Sequence, residues 1–159
     1  CMTGWRIGYC TAPSKLVKAM AKVQSQSTSS PNSIAQWAAI TALDGPIDFI
    51  DDNRRIFEAR RQLVCDALNE MCGVTCARPD GAFYVYPSIS GLLGKICPDG
   101  QVIATDADFV RYLLEAGEVA VVPGVAFGLS PYFRISYAAA DKVLAEAMAR
   151  IGRAVDSLS

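Results

Sequence analysis

The chain has 159 residues, which allows one ordinary domain or a small domain with part of another attached. Lys plus Arg number 15 and Asp plus Glu 16, so no long-range field recruits nucleic acid or an acidic membrane surface. Histidine is absent, which excludes Ser-His-Asp and Cys-His catalysis, histidine zinc sites and imidazole proton shuttles within this chain; catalysis falls to Lys, Tyr, Cys or a carboxylate.

Apolar residues make up 52% of the sequence, as a filled globular core requires. No apolar run approaches the roughly 18 to 20 residues of a membrane helix, and the first residues lack the charged-then-apolar layout of a signal peptide. A soluble, cytoplasmic protein without membrane or nucleic-acid partners is expected. The cysteines at Cys1, Cys10, Cys65, Cys72, Cys76 and Cys97 show no C-x-x-C pair and no regular framework, which predicts buried free thiols.

Arg6 to Ala12 reads as a short, largely apolar strand stopped at Pro13. Ser14 is placed to cap a helix over about 15–24, with Leu16, Val17, Met20 and Val23 recurring at helical spacing. The polar run Ser25 to Asn32 reads as a loop. A second helix follows over 33–43, apolar on most sides through Ile34, Trp37, Ile40 and Leu43. Trp5 and Trp37 read as packing residues.

Asp44-Gly45-Pro46 stops one helix and starts another, with proline where a first turn tolerates it. The long helix then runs to about Met71 on the stripe Ile50, Phe57, Val64 and Met71, a length suited to joining two domains. After Gly73 the pattern turns strand-like: Val74 to Cys76 and Ala82 to Tyr86 flank the turn Arg78-Pro79-Asp80-Gly81. Residues 88–100 read as irregular. Thr105 with Asp108 has the spacing of a capping box for a helix ending at Gly117. Strands over 119–122 and 132–138 enclose the loop Pro123 to Gly128, and Asp141 opens a terminal helix.

Four stretches, taken in order, resemble the class I/II aminotransferases, which use pyridoxal 5′-phosphate (PLP). They are Met2-Thr3-Gly4-Trp5-Arg6-Ile7-Gly8-Tyr9; the serine-rich Ser25 to Leu43; Pro79-Asp80-Gly81-Ala82-Phe83-Tyr84 with Val121-Val122-Pro123-Gly124 and Phe127-Gly128; and Phe133-Arg134-Ile135-Ser136-Tyr137-Ala138. The second is most similar to the bacterial subgroup of aspartate aminotransferases. The resemblance covers essentially the whole chain, yet only the C-terminal portion of a typical subunit. It implies an α/β to α+β fold: residues 1–45 as the C-terminal remnant of the large PLP-binding domain, and residues 46–159 as the small C-terminal domain with the long interdomain helix.

The resemblance also implies roles. Arg6 corresponds to the arginine that binds the phosphate of PLP; a surface arginine at a strand start is the alternative from the local sequence alone. The Schiff-base lysine precedes this arginine by eight residues in the family, and counting back from Arg6 passes Cys1, so no catalytic residue is assigned and the isolated chain is expected to be inactive. Arg134 lies in an otherwise apolar strand, where a guanidinium needs a specific anionic partner. An internal Asp or Glu is one candidate; the resemblance names the substrate's α-carboxylate instead. Amino acid and 2-oxo acid substrates are implied, with a homodimer or association with the missing N-terminal part. A non-enzymatic amino-acid-sensing or dimerisation module on the same fold is the alternative function. Ser27, Thr28 and Ser29 either approach a neighbouring subunit's phosphate or form a solvent loop, and Phe83, Tyr84 and Tyr86 read as core and sheet residues.

Overall fold

A computed structural model describes residues 2–159, which divide into two compact units between Phe49 and Ile50. The first unit opens with a single 3-10 turn over Thr3–Trp5. Helix α1 (Ser14–Ser27) and helix α2 (Ser33–Asp44) follow. Helix α3 (Asp48–Glu70) begins at the end of this unit and runs on through the second.

Several expectations fail in the first unit. Residues 6–12 form no strand, because a strand requires a partner for its N–H and C=O groups and the remainder of this unit is helical. Ser14 does not cap α1; it is the first helical residue, and Pro13 occupies the cap position without a side-chain bond. Helix α1 also takes in Ser25 to Ser27, expected as loop. The Ser25 hydroxyl donates to the Lys22 carbonyl at 2.8 Å and that of Ser27 to Gln24 at 3.3 Å, so these serines bond back along the helix. Asn32 caps α2, its Oδ1 accepting from the Ala35 N–H at 3.1 Å.

Only Ala35 is buried on α1 and α2, while Leu16, Met20, Ile34 and Ile40 are exposed. Trp5 and Trp37 are exposed as well, at 50% and 73%, so neither packs as expected. A unit of two helices and a short lead-in has too little second layer to cover these stripes.

The second unit has its own core. Strands β1 (Tyr84–Val85), β2 (Val122–Pro123) and β3 (Phe133–Ser136) form an antiparallel sheet in the order β1-β3-β2. The strands are shorter than the sequence predicts, and Val74–Cys76 contributes only a bridge from Thr75 to Ser88. Helix α3 presents Val64, Cys65 and Leu68 to the core, helix α4 (Asp106–Glu115) presents Phe109 and Leu113, and helix α5 (Asp141–Asp156) presents Leu144, Met148, Ile151 and Val155. The Phe109 ring packs on Phe133 of β3 with centroids 5.5 Å apart. The capping box forms as predicted: Thr105 Oγ1 accepts from the Asp108 N–H at 3.2 Å, and Asp108 Oδ2 from the Thr105 N–H at 3.0 Å.

Cys65, Cys76 and Cys97 are buried free thiols as expected, whereas Cys10 and Cys72 are exposed and Cys1 lies outside the described residues. Cys72 falls in the turn just after α3.

Because Phe109 is fully buried against β3, Phe109→Ala should cost about 3–5 kcal/mol in urea unfolding of the second unit. Thr105→Ala, which removes only the cap, should cost about 1 kcal/mol. Equal losses would show that the α4–β3 contact does not organise this core.

Candidate functional site

Strand β3 alternates. Phe133, Ile135 and Tyr137 turn into the core, while Arg134 is half-buried and Ser136 exposed on the opposite face. Pairing with both neighbours fixes this register: Val85 lies across from Ile135 on the core side, Tyr84 across from Ser136, and Val122 across from Arg134. The chain therefore delivers Tyr84 to the same face as Arg134.

Arg134 has no carboxylate partner among the described residues, so the internal ion pair that could have explained it is not formed. Aromatic rings hold it instead. Its Cζ lies 4.5 Å from the centroid of Tyr84 and 4.1 Å from that of Phe127. Each ring attracts the cation through its negative face while leaving the guanidinium's in-plane N–H donors for another acceptor. A cation oriented by rings and unpaired by any acid can take a carboxylate through two parallel hydrogen bonds.

Phe127 comes from a 3-10 turn over Gly124–Phe127, inside the segment expected to be plain loop. Three devices hold that turn. Tyr86 donates its hydroxyl to the Gly124 carbonyl at 2.9 Å and to that of Leu129 at 3.3 Å. Burial and the Asp106 carboxylate push the Tyr86 phenol upward, which keeps it a donor. Gly124 is buried where the chain folds back on itself, and a Cβ there would collide with the Leu129 and Tyr132 carbonyls. Asp106, 2% exposed, accepts from the Val125 N–H at 2.7 Å and from the Ser130 hydroxyl at 2.5 Å. Burial alone would raise its carboxyl; the Ser130 hydroxyl and the N–H groups of Val125, Asp106 and Gly124 outweigh that and hold it below the ordinary carboxylate range.

Arg6 belongs to the first unit. It is exposed, in the left-handed region at φ 52°, and closes the 3-10 turn with its N–H on the Thr3 carbonyl. Its guanidinium bonds only that carbonyl, at 3.2 Å, with no acid paired to it among the described residues. Cβ atoms built at Gly4 and Gly8 would meet nothing within 4 Å. An unpaired cation between two open backbone positions fits a phosphate. Arg6 and Arg134 stand in different units.

The sequence marks Tyr84 as a sheet residue and Phe127 as part of a family-like stretch without giving either a place beside Arg134, and it does not mark Asp106. The strand alternation that singled out Arg134 also marked Tyr84, once β1 is known to pair with β3. Asp106 carried no local signal, since its partners lie 19 and 24 residues away.

Other groups carry no chemistry of this kind. Cys65 and Cys76 bring their sulfurs within 4.0 Å in the core, where burial and the neighbouring Cys65 push the Cys76 thiol up to about 12. Neutral thiols there are packing groups. Among the described residues no cluster of three or more His, Cys, Asp or Glu could hold a metal, and no helix is long and apolar enough to cross a membrane.

Known proteins share this sequence and fold. The family aminotransferase class I and II matches residues 1–151. A probable aspartate/prephenate aminotransferase of Rhizobium leguminosarum bv. phaseoli is 59% identical over 152 residues, covering 96% of this chain and 38% of that relative. An aspartate/prephenate aminotransferase of Cereibacter sphaeroides is 60% identical over 151 residues, covering 95% of this chain and 38% of its own length. The crystal structure of the aspartate aminotransferase from Rhizobium meliloti superposes with a TM-score of 0.88 at 55% identity, over 99% of this chain and 40% of that one. The chain thus spans about 38% of the length of the curated relatives it matches. By sequence and by fold, the chain belongs to the class I and II aminotransferases.

Proposed function

We propose that this chain is the carboxy-terminal portion of an aspartate-type aminotransferase, moving an amino group between an amino acid and a 2-oxo acid. Arg134 binds the substrate's α-carboxylate and Arg6 the phosphate of PLP, the cofactor on which this family depends. The observation that carries the reading is Arg134 itself: a guanidinium on the central strand, in contact with Tyr84 and Phe127 and without an acid partner among the described residues. The relatives named for aspartate and prephenate favour dicarboxylic substrates.

When bound, PLP supplies a conjugated ring that takes up the electrons released at the substrate's Cα. Arg134 contributes orientation. Two parallel hydrogen bonds from one planar fork fix the plane of the carboxylate, and so the rotation of Cα and the direction of its C–H bond. Tyr84 and Phe127 pack on the guanidinium and restrict the turning of that fork. Arg6 and the open backbone at Gly4 and Gly8 receive the phosphate dianion. The residues here hold and orient; in this reading the proton at Cα is moved by a lysine that precedes Arg6 in the family.

The same reading assigns a partner to the exposed apolar residues of α1 and α2. Leu16, Met20, Ile34, Trp37 and Ile40 are covered by the remainder of the large domain, or by a second subunit of a homodimer. Arg134 and both its rings lie in the second unit, and this completeness supports the alternative of an amino-acid sensor. Micromolar, Arg134-dependent binding of aspartate by residues 1–159 alone, with no turnover in the full-length protein, would favour the sensor.

In the full-length protein, Arg134→Ala should lower kcat/KM for aspartate at least about 30-fold, since truncating one side of a hydrogen-bonded charge pair costs about 2–5 kcal/mol. Arg134→Lys should fall between, keeping charge and losing the fork. Values within twofold of the parent would remove the carboxylate role. Arg6→Ala should weaken PLP binding about 10- to 100-fold in equilibrium dialysis, the loss of one charged hydrogen-bonding group; unchanged retention would remove the phosphate role. Residues 1–159 alone should show no aspartate–2-oxoglutarate turnover, and turnover at the full-length rate would overturn the assignment of acid/base chemistry to an upstream lysine.

A further inference from the structure

Asp106 is a buried carboxylate that the proposed chemistry leaves unused. It lies in the first turn of α4, yet the capping of that helix is complete without it, since Thr105 and Asp108 satisfy each other's backbone donors. Its side chain turns instead to the Gly124–Ser130 loop. One oxygen takes the Val125 N–H near the loop's start, and the other takes the Ser130 hydroxyl at its end. Between those two anchors the chain makes its 3-10 turn, reverses at Gly128 (φ 77°) and places Phe127 against the Arg134 guanidinium. Tyr86 bonds two other carbonyls of the same loop, and its ring stands 6.4 Å from Phe127, edge to face.

An exposed loop gains little from a buried charge, because desolvating a carboxylate is costly unless its bonds are completed. Here the bonds are completed by the loop. The consequence is that Phe127, itself 49% exposed, is held through the loop positions on either side of it. Without such anchoring an aromatic side chain on a surface turn would sample several rotamers, and Arg134 would gain water and freedom on one face.

We propose that Asp106 is a positioning residue for carboxylate recognition: by fastening both ends of the Gly124–Ser130 loop it holds Phe127 on the Arg134 guanidinium and so sets the affinity for the substrate's carboxylate. This rests on the reading of Arg134 as the carboxylate clamp. Loss of the clasp weakens ground state and transition state alike, so KM rises and kcat changes little. Asparagine preserves much of the arrangement: its oxygen still accepts from Val125, and its amide can donate to the Ser130 hydroxyl oxygen.

The test uses the full-length, PLP-loaded enzyme, with the unreactive dicarboxylate maleate as probe in equilibrium titration and with aspartate in steady-state kinetics. Asp106→Ala should raise both the Kd for maleate and the KM for aspartate by about 10-fold, as expected for breaking a charge-assisted clasp, with kcat within about threefold. Asp106→Asn should recover most of the loss. Phe127→Ala should raise the same constants, and the double variant should bind no more weakly than the worse single one, because both act through one contact. If Asp106→Ala does not fold, Ser130→Ala opens the same clasp at its other end, and its smaller loss should likewise vanish in the Phe127→Ala background. Unchanged Kd and KM, equal falls in kcat, or additive effects of the Asp106 and Phe127 changes would each overturn the proposal. If those results come with a strongly impaired Arg134→Ala, only the positioning role fails. An Arg134→Ala enzyme that binds maleate normally removes the clamp reading itself.

Discussion

The period-two alternation of β3 is the constraint on which the second unit depends. Phe133, Ile135 and Tyr137 must enter the core for the sheet to pack on α3, α4 and α5, and that requirement forces Arg134 to the other face. A slip of one residue would bury the guanidinium among Phe109, Leu113 and Ile151 and expose three aromatic or branched side chains. Because β3 is central in the sheet, neighbours on both sides hold the register. Folding energy and site geometry are thus set by the same few residues.

The face opposite the core is where the chain departs from ordinary packing. An arginine in this setting would normally be neutralised by an acid, and acids are plentiful elsewhere: Arg60 pairs with Asp141 and Arg150 with Glu118. Arg134 receives aromatic rings from two separate segments, Tyr84 from β1 and Phe127 from the turn after β2. Rings orient a cation without consuming its hydrogen-bond donors, so the charge is held in place and still available. Much of the surrounding construction maintains this state. The Tyr86 hydroxyl, the missing side chain at Gly124 and the Asp106 carboxylate all act on the turn that carries Phe127.

What the sequence made legible follows from how far each interaction reaches along the chain. Helices α1 to α5, the Thr105–Asp108 cap and the two faces of β3 are written in spacings of two to four residues, and all of them form. Arg134 was visible because a lone charge in an apolar strand is a local anomaly. Its partners were not, since Phe127 reaches it through a reversal and Asp106 acts on loop positions 19 and 24 residues away. The strand expected over residues 6–12 failed for the complementary reason: apolar sequence promotes extension, but only a partner strand fixes it. Trp37 is similar, for a helix apolar on most sides announces burial without saying what covers it.

The proposed function accounts for two arginines, in separate units, that each stand without an acid partner among the described residues. In the proposed enzyme one meets a phosphate and the other a carboxylate, and each anion arrives from outside the chain. The most direct test of the central claim is a crystal structure of the full-length protein with bound maleate. The account predicts a carboxylate whose two oxygens lie about 2.7–2.9 Å from the Arg134 guanidinium nitrogens, with Tyr84 and Phe127 still on its faces. A dicarboxylate bound elsewhere, with Arg134 turned onto an Asp or Glu of the protein, would contradict it.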